Sequence, residues 1–442
     1  MSGRDARDLA LDVLVRVAAG AASDRSLDRV LRRHQPPDRD RALATELVYG
    51  TLRRRQSLDR ELARHSRRPL AGLDPTVLEA LRLGTYQWRH LTKVPDHAVV
   101  DSVVAAVKRR QPAAAGFVNA VLRALLREAV ADVPAPPASV AELADHLDVP
   151  EWWAQRWAQR YGLEVAAAWF RRTLEPAPLA LRPHPRVAAP EELARRLAAA
   201  GVEIEQSSLV PGAWRVVRGN PLRVASPDAA GYALRGEAAQ LVAALLPATP
   251  ADVVLDACAG RGGKAIQIAE DSGARLLAAC DLAEWRARSC AAAAAAAATP
   301  AVHPLVADLA APAPFRRRFS AVLVDAPCSG LGTVRRRPEL KWRNQPERLQ
   351  RLAGLQGRIL STSAEALRGG GALLYATCST EPEENEGVVE ALLAGAPQLE
   401  RRPVVLPAGC DPRLVGDDGC FRTYPLFPEL DGFFAALLVK TE

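Results

Sequence analysis

The apolar positions of this chain change their period along its length. From Ala6 to about residue 128 they recur every three or four residues, and Ala6, Leu9, Ala10, Val13, Leu14 and Val17 form one stripe. That spacing predicts helices only. Asp38 or Asp40 can cap a helix holding Leu43, Leu47 and Val48. Asp74 stands ahead of Pro75, a capping residue before a proline at the first helical position. Two more helices are predicted over 96–109 and 114–128. Three prolines between Ala131 and Ser139 mark a linker. A helical stretch follows, with Trp152, Trp153, Trp157, Tyr161, Trp169 and Phe170 spaced for packing rather than for base stacking. Residues 178–217 read as a small α/β unit, with strands at 179–181, 202–206 and 214–217 and a helix at 191–200.

From Gly231 onward strands and helices alternate, which predicts a doubly wound sheet. Strands are expected at 253–257, 276–280, 302–306, 321–325 and 372–376. Ala287–Ala298 is nearly pure alanine, stopped by Pro300, and reads as the second crossover helix. The expected organisation is an all-α bundle at 1–130, a linker with aromatic-rich helices at 131–175, a small α/β subdomain of RRM-like type at 176–228, and a Rossmann-like domain at 229–442.

The Rossmann-like domain opens on Val253–Lys264. Val253–Leu255 is a short apolar run of the kind buried in a parallel sheet. Gly260, Gly262 and Gly263 let the backbone turn sharply and approach a ligand. The helix that opens at Gly263 presents free N–H groups and the positive end of its dipole. A phosphate-cradling Walker loop fails here, because Cys258 occupies its first glycine position and Ala265 follows Lys264. Gly260-x-Gly262-x-x-Ala265 with Asp281 beyond it matches the dinucleotide fingerprint. An S-adenosylmethionine site uses the same architecture without a pyrophosphate, so the loop leaves both open.

Composition narrows the partners. The net charge is +7, which suits a polyanion such as nucleic acid and equally an arginine-rich composition without functional meaning. There are 53 Arg and only 5 Lys, so Lys264 and Lys341, both inside motifs, stand out. Arg32–Arg33, Arg53–Arg55, Arg67–Arg68 and Lys108–Arg110 fall at helix ends and faces, either as solvated surface or as an RNA-docking face. Arg182, His184 and Arg186 are further candidates for RNA contact. The seven cysteines all lie at or after Cys258 without C-x-x-C spacing, which disfavours a disulfide framework or a zinc site. With no signal segment and no run of about 18 apolar residues, the expectation is a cytoplasmic protein, monomeric, acting without metal or membrane.

Each expected strand end carries a polar residue: Asp256, Asp281, Asp308, Asp325 with Cys328, and Cys378. In such sheets the ligand lies beyond the carboxyl ends. Asp281 can accept from ribose hydroxyls, and Asp308 lies near an expected adenine site. Two cysteines in loops beside serines suggest thiol chemistry. Hydride transfer uses no thiol. Methylation at carbon 5 of a pyrimidine does, because a thiolate added at carbon 6 makes carbon 5 nucleophilic.

Two resemblances follow from residues. Glu46–Gly50 with Leu52 and Arg53, then Tyr86-Gln87, Val94–Ala98 and Phe117–Arg123, resemble the NusB-like antitermination-factor fold, an all-α RNA-binding domain. Gly330–Arg343, Asp431–Ala435 and the pairs Pro327-Cys328 and Thr377-Cys378 resemble the ribosomal RNA (cytosine-5) methyltransferase family of the Sun/Fmu type. The resemblance implies a class I methyltransferase domain, S-adenosyl-L-methionine as cofactor, and small-subunit ribosomal RNA as substrate. It implies Cys378 as nucleophile, Cys328 as the residue that assists release, and Asp325 as a hydrogen-bond partner of the base. Cys258, Ala259, Gly260, Arg261, Gly262, Gly263, Lys264, Asp281, Asp308 and Asp325 would line the cofactor site, with Lys264 reaching the base or the cofactor carboxylate. Gly260-Arg261 departs from the family's usual Ala-Pro, which loosens the loop and adds charge beside a cationic cofactor. Gly231–Gln240 also departs from the usual pattern, so no contact of the family is carried over there. The rival readings are an RNA-binding or antitermination-type factor whose methyltransferase fold no longer turns over, and a nucleotide-dependent oxidoreductase that leaves both cysteines unexplained.

Overall fold

The computed structural model describes residues 5–92, 94–128, 136–223, 231–312, 315 and 318–441. The chain forms two units. One comprises residues up to Pro176 together with Val334–Arg343, and the other Ala177–Thr333 together with the chain from Asn344 onward.

The first unit is helical: α1 (Ala6–Ala18), α2 (Ser23–His34), α3 (Asp38–Arg53), α4 (Arg55–His65), α5 (Pro75–His90), α6 (Asp96–Arg110), α7 (Ala115–Leu125), α8 (Val140–His146), α9 (Glu151–Tyr161) and α10 (Leu163–Thr173). The apolar stripe of α1 is buried in the core of the bundle. Asp74 caps α5, its carboxylate accepting from Thr76 N–H at 2.7 Å. The aromatic helices pack on each other: Trp157 stacks on Trp169 at 5.1 Å and Trp153 meets Phe170 edge-on at 4.8 Å.

Two of the basic clusters are partly internal. Arg53 is buried and donates to the Arg335 carbonyl at 3.3 Å, while Arg110 pairs with Asp8 and Asp12. Arg32, Arg33, Arg67 and Arg68 remain exposed. The inserted segment Val334–Arg343 binds helix ends. Glu339 accepts from Ser23 N–H and Oγ at the start of α2, and Lys341 Nζ donates to the Arg53 carbonyl at the end of α3. Arg343 donates to the Val17 carbonyl at the end of α1 and to the Ala21 carbonyl just beyond it. Negative charge meets a helix N-terminus and positive charge meets helix C-termini, as the helix dipole favours.

The second unit holds two sheets. The smaller contains β1 (Ala180–Pro183), β2 (Glu203–Gln206), β3 (Trp214–Arg218) and β4 (Tyr232–Leu234) in the order β2-β3-β1-β4, all pairs antiparallel, with α11 (Pro190–Ala199) packed on it. The alternation from Gly231 predicts the doubly wound sheet, yet its first strand, β4, completes this smaller one. Three residues with a single buried side chain, Tyr232, are too short for a period to register.

The larger sheet runs β10-β12-β9-β8-β5-β6-β7, with β11 paired to β12. Its strands are β5 (Val253–Asp256), β6 (Leu276–Asp281), β7 (Val302–Val306), β8 (Phe319–Asp325), β9 (Leu367–Thr377), β10 (Leu399–Arg402), β11 (Phe421–Arg422) and β12 (Phe434–Lys440). Helices α12 (Glu237–Ala244), α13 (Gly263–Ser272), α14 (Glu284–Ala296), α15 (Pro346–Ala366) and α16 (Glu386–Gly395) accompany it. β5 to β9 pair in parallel, so their carboxyl ends share one edge. β12 is antiparallel to β9 and makes the sheet mixed, which the five expected strands do not include.

Candidate active site

The glycine loop leaves β5 at Asp256, which is buried. Gly260 has φ of +58° and a Cβ added to it would meet open space. Gly262 has φ of +84°, and a Cβ there would lie 2.3 Å from Cys290 Sγ, so glycine is required for both conformation and room. Ala259 N–H donates to the Cys280 carbonyl at 2.7 Å and Gly260 N–H to Asp281 Oδ2 at 3.1 Å. These bonds tie the loop to the end of β6. Asp281 also accepts from Ala283 N–H at 2.8 Å and from Arg286 at 3.3 Å.

Exposed apolar surface flanks this carboxylate. Leu282 and Trp285 are 68% and 44% exposed, and Arg261 lies 5.6 Å over the Trp285 ring. Ala307 N–H bonds the Asp281 carbonyl at 3.2 Å, which sets Asp308 at the adjacent strand end. Asp308 accepts from Ala310 N–H at 2.9 Å.

The third strand end adds Asp325. Lys264 Nζ, from the first turn of α13, donates to Asp325 Oδ2 at 2.5 Å and lies 5.6 Å over the Phe433 ring. Negative charge accumulates here. Burial, then the charge of Asp325, pushes Asp256 up to about 7. Burial, then the charges of Asp256, Asp325 and Asp281, raises the Cys258 thiol well above its ordinary range. The carboxylates suit a ligand with a positive centre, while the start of α13 suits a negative group on the same ligand.

Cys328 and Cys378 stand beyond the ends of β8 and β9, with their sulfurs 3.3 Å apart and neither in a disulfide. Gly332 N–H donates to the Cys378 carbonyl at 2.9 Å and fastens one loop to the other. Behind the thiols lies a buried polar network. Thr377 Oγ1 donates to Asn385 Oδ1 at 2.5 Å, and Asn385 Nδ2 donates to the Ser379 carbonyl at 3.1 Å and to Tyr424 OH at 2.7 Å. Asn344 Nδ2 donates to the Ser329 carbonyl at 3.1 Å.

All the candidates from the sequence thus stand on one edge of the sheet: the 258–264 loop, Asp281, Asp308, Asp325, Cys328 and Cys378. Two residues expected at an RNA contact are engaged by carboxylates within the second unit. His184 is buried with Nδ1 2.7 Å from Glu270, and Arg182 pairs with Asp271, both carboxylates on α13. Two carboxylates about two turns along α13 from Gly263 give no signal in the sequence that they will claim these cations. Sequence reading also passes over Arg235, whose guanidinium packs on Gly263 and donates to Gln267 Oε1 at 3.0 Å. Burial lowers its pKa to about 10. Glu384 and Asn385 are likewise missed, because an acidic run from Glu381 to Glu386 looks solvated.

The parallel strand ends, the glycine loop and the thiol pair define a Rossmann-like methyltransferase domain behind a NusB-type helical domain. Residues 243–439 match the family of 16S rRNA methyltransferase RsmB/F, residues 4–127 the NusB family, and residues 149–223 the ferredoxin-like domain of RsmF/B-like methyltransferases. A relative in Thermus thermophilus, "Ribosomal RNA small subunit methyltransferase B", is 40% identical over 91% of this chain and 90% of its own. "Probable ribosomal RNA small subunit methyltransferase B" of Bacillus subtilis is 33% identical over 100% of both chains. The crystal structure of PH0851 shares the fold, with a TM-score of 0.84 over 98% of this chain and 99% of that one at 23% identity. The chain belongs to the 16S rRNA methyltransferase RsmB/F family.

Proposed function

We propose that this protein methylates carbon 5 of a cytosine in small-subunit ribosomal RNA, through a covalent bond between Cys378 and the base. The observation that carries the reading is the pair of sulfurs, 3.3 Å apart at neighbouring strand ends. S-adenosyl-L-methionine, when bound, supplies a methyl group on a positively charged sulfur. The 258–264 loop, Asp281 and Asp308 would hold it, and the carboxylates around Asp256 match its charge.

The chain's own residues then act on the base. Cys378 Sγ adds to carbon 6, and the ring's electrons move towards carbon 5 and the N3 side. Asp325, bonded to Lys264 Nζ, hydrogen-bonds the base and holds it in the reactive form. After carbon 5 takes the methyl group, its proton passes to water, the carbon 5–hydrogen electron pair re-forms the double bond to carbon 6, and the carbon 6–sulfur bond breaks with its electron pair on the sulfur. Cys328, in contact with that sulfur, assists the departure. The base must be unstacked to reach the thiols, so a loop or an unfolded RNA segment is the preferred substrate. Exposed Arg32, Arg33, Arg67 and Arg68 would hold phosphates.

Tritium transfer from labelled donor to small-subunit RNA tests the reading. Cys378→Ala is expected to abolish transfer, and persistent activity in that variant removes the nucleophile assignment. Cys328→Ala is expected to accumulate a protein–RNA adduct that survives denaturing gels, and the absence of a slower band removes the release role.

A further inference from the structure

The two loops that carry the thiols are anchored to one another on both sides of the sulfurs. β8 and β9 pair in parallel with Asp325 opposite Ala376, and Cys328 and Cys378 follow shortly after that last rung. Gly332 N–H bonds the Cys378 carbonyl at 2.9 Å. The fully buried Glu384 carboxylate accepts from Ser329 N–H at 2.8 Å and from Ser379 Oγ at 2.6 Å, the residues next after the two cysteines. The hydroxyls of these serines are 3.2 Å apart. The loops are thereby kept from drifting apart, and the sulfurs rest in contact at 3.3 Å. Both thiols are free and partly exposed, whereas Cys280, Cys290 and Cys420 are buried.

Sulfurs in a disulfide lie about 2.05 Å apart, so this pair closes with about 1.3 Å of further approach. We propose that Cys328 and Cys378 form a site of reversible oxidation by hydrogen peroxide, which joins them in a disulfide and withdraws both thiols from methyl transfer. The disulfide follows from the contact of the sulfurs. Its consequence for the reaction rests on the carbon-5 methylation reading.

The chemistry takes two steps. One sulfur gives an electron pair to a peroxide oxygen, the O–O bond breaks, and the displaced hydroxide leaves as water with the thiol proton. That sulfur is now a sulfenic acid. The second sulfur gives its electron pair to the first, the S–O bond breaks, and hydroxide again leaves as water with the second thiol proton. The pair has lost two electrons and two protons, and the peroxide has become two molecules of water. The hydrogen bond between the thiols stabilises a thiolate on whichever sulfur accepts it. Cys328 holds its proton well above the usual thiol range, through that bond first and then through burial. The product is the same disulfide whichever sulfur is oxidised first. With the partner thiol already in contact, closure should outrun a second oxidation of the sulfenic acid.

The test is oxidation of the reduced full-length protein by a few equivalents of hydrogen peroxide, then alkylation by iodoacetamide and mass spectrometry of the unreduced digest. A peptide pair joining Cys328 to Cys378, lighter by two hydrogens and separated again by dithiothreitol, is expected. Cys410→Ala, which removes another partly exposed thiol, should leave that cross-link unchanged. Full alkylation of both cysteines after peroxide, a cross-link from either to a different cysteine, or sulfinic acid in place of the disulfide overturns the proposal. Tritium transfer to small-subunit RNA by the cross-linked protein should fall to the level of Cys378→Ala and return with dithiothreitol. Undiminished transfer by fully cross-linked protein overturns the loss of function. The cross-link needs neither RNA nor donor. A protein that forms it but transfers no methyl group when reduced overturns only the methylation reading, whereas a reduced protein that is active but forms no cross-link overturns only the oxidation site.

Discussion

Glu384 in the second unit and Lys341 in the first are both fully buried, yet they are held differently. Three hydrogen-bond donors meet the Glu384 carboxylate. Among the described residues Lys341 Nζ has one hydrogen-bond partner, the Arg53 carbonyl at 3.0 Å, and lies 5.7 Å over the Trp342 ring. Burial pushes the Lys341 ammonium down to about 7, helped by Arg54 and Arg53 and opposed by the charge of Asp148. Burial drives both groups towards neutrality, and the number of bonds made to the charged form decides how far each goes. The charge that is fixed most firmly lies at the reactive thiols. The loosely held one lies where the inserted segment meets the helices.

Breaking the better-satisfied site should cost most. Glu384→Ala orphans Ser329 N–H, the Ser379 hydroxyl and the Gln356 amide, and each buried orphan costs about 1–3 kcal/mol. Urea unfolding of the full chain should show a loss of several kcal/mol in the second unit, summed from such orphans. A curve that overlays the wild type would mean that water or neighbouring groups replace the carboxylate without loss.

Much of the scaffold around Glu384 is legible in the sequence, because it obeys local rules. The glycines at 260, 262 and 263 mark a turn whose strained members the structure places at positive φ, and Asp74-Pro75 marks a helix start. Strand ends follow from where apolar runs stop, so Asp256, Asp281, Asp325 and Cys378 could be aligned before any fold was known. Glu384 could not, since its burial depends on Ser329 and Gln356 arriving from separate parts of the chain. The same holds for His184 and Arg182, which look basic and exposed until Glu270 and Asp271 on α13 claim them. β12 is hidden for a similar reason: its apolar run is visible, but its antiparallel place beside β9 is a long-range choice.

The weaker charge gives a smaller effect with a definite sign. The Lys341 pKa is about 7 when folded against a usual 10.5, so between those values the unfolded chain binds the extra proton. Stability of the helical unit should therefore rise with pH across that window and be flat from this group below it. A tenfold change in proton affinity is equivalent to about 1.4 kcal/mol, so a rise of a few kcal/mol is the upper expectation. Lys341→Met should remove the slope, as read by urea unfolding near pH 7 and near pH 10. A slope that survives in the variant would assign it to other groups.

Glu339 sharpens the contrast from the other side, as a carboxylate with the charge of Glu384 but fewer donors. It is 3% exposed, and its oxygens accept from Ser23 N–H at 3.0 Å and Ser23 Oγ at 2.8 Å. The residue before α2, Ala22, provides no side-chain cap of its own. Glu339 therefore serves as the cap of α2 from far along the chain, with the dipole adding to the two bonds. Removing a cap of this kind costs about 1–2 kcal/mol, so Glu339→Ala should destabilise the helical unit by that amount, less than Glu384→Ala costs the other unit. Glu339→Gln retains an acceptor for Ser23 N–H but loses the charge at the helix start, and should fall between wild type and alanine. If glutamine and alanine are equally harmful, the charge at the helix terminus outweighs the hydrogen bond. If glutamine matches the wild type, the bond to Ser23 is what fastens the inserted segment, and bond count rather than charge governs both buried carboxylates.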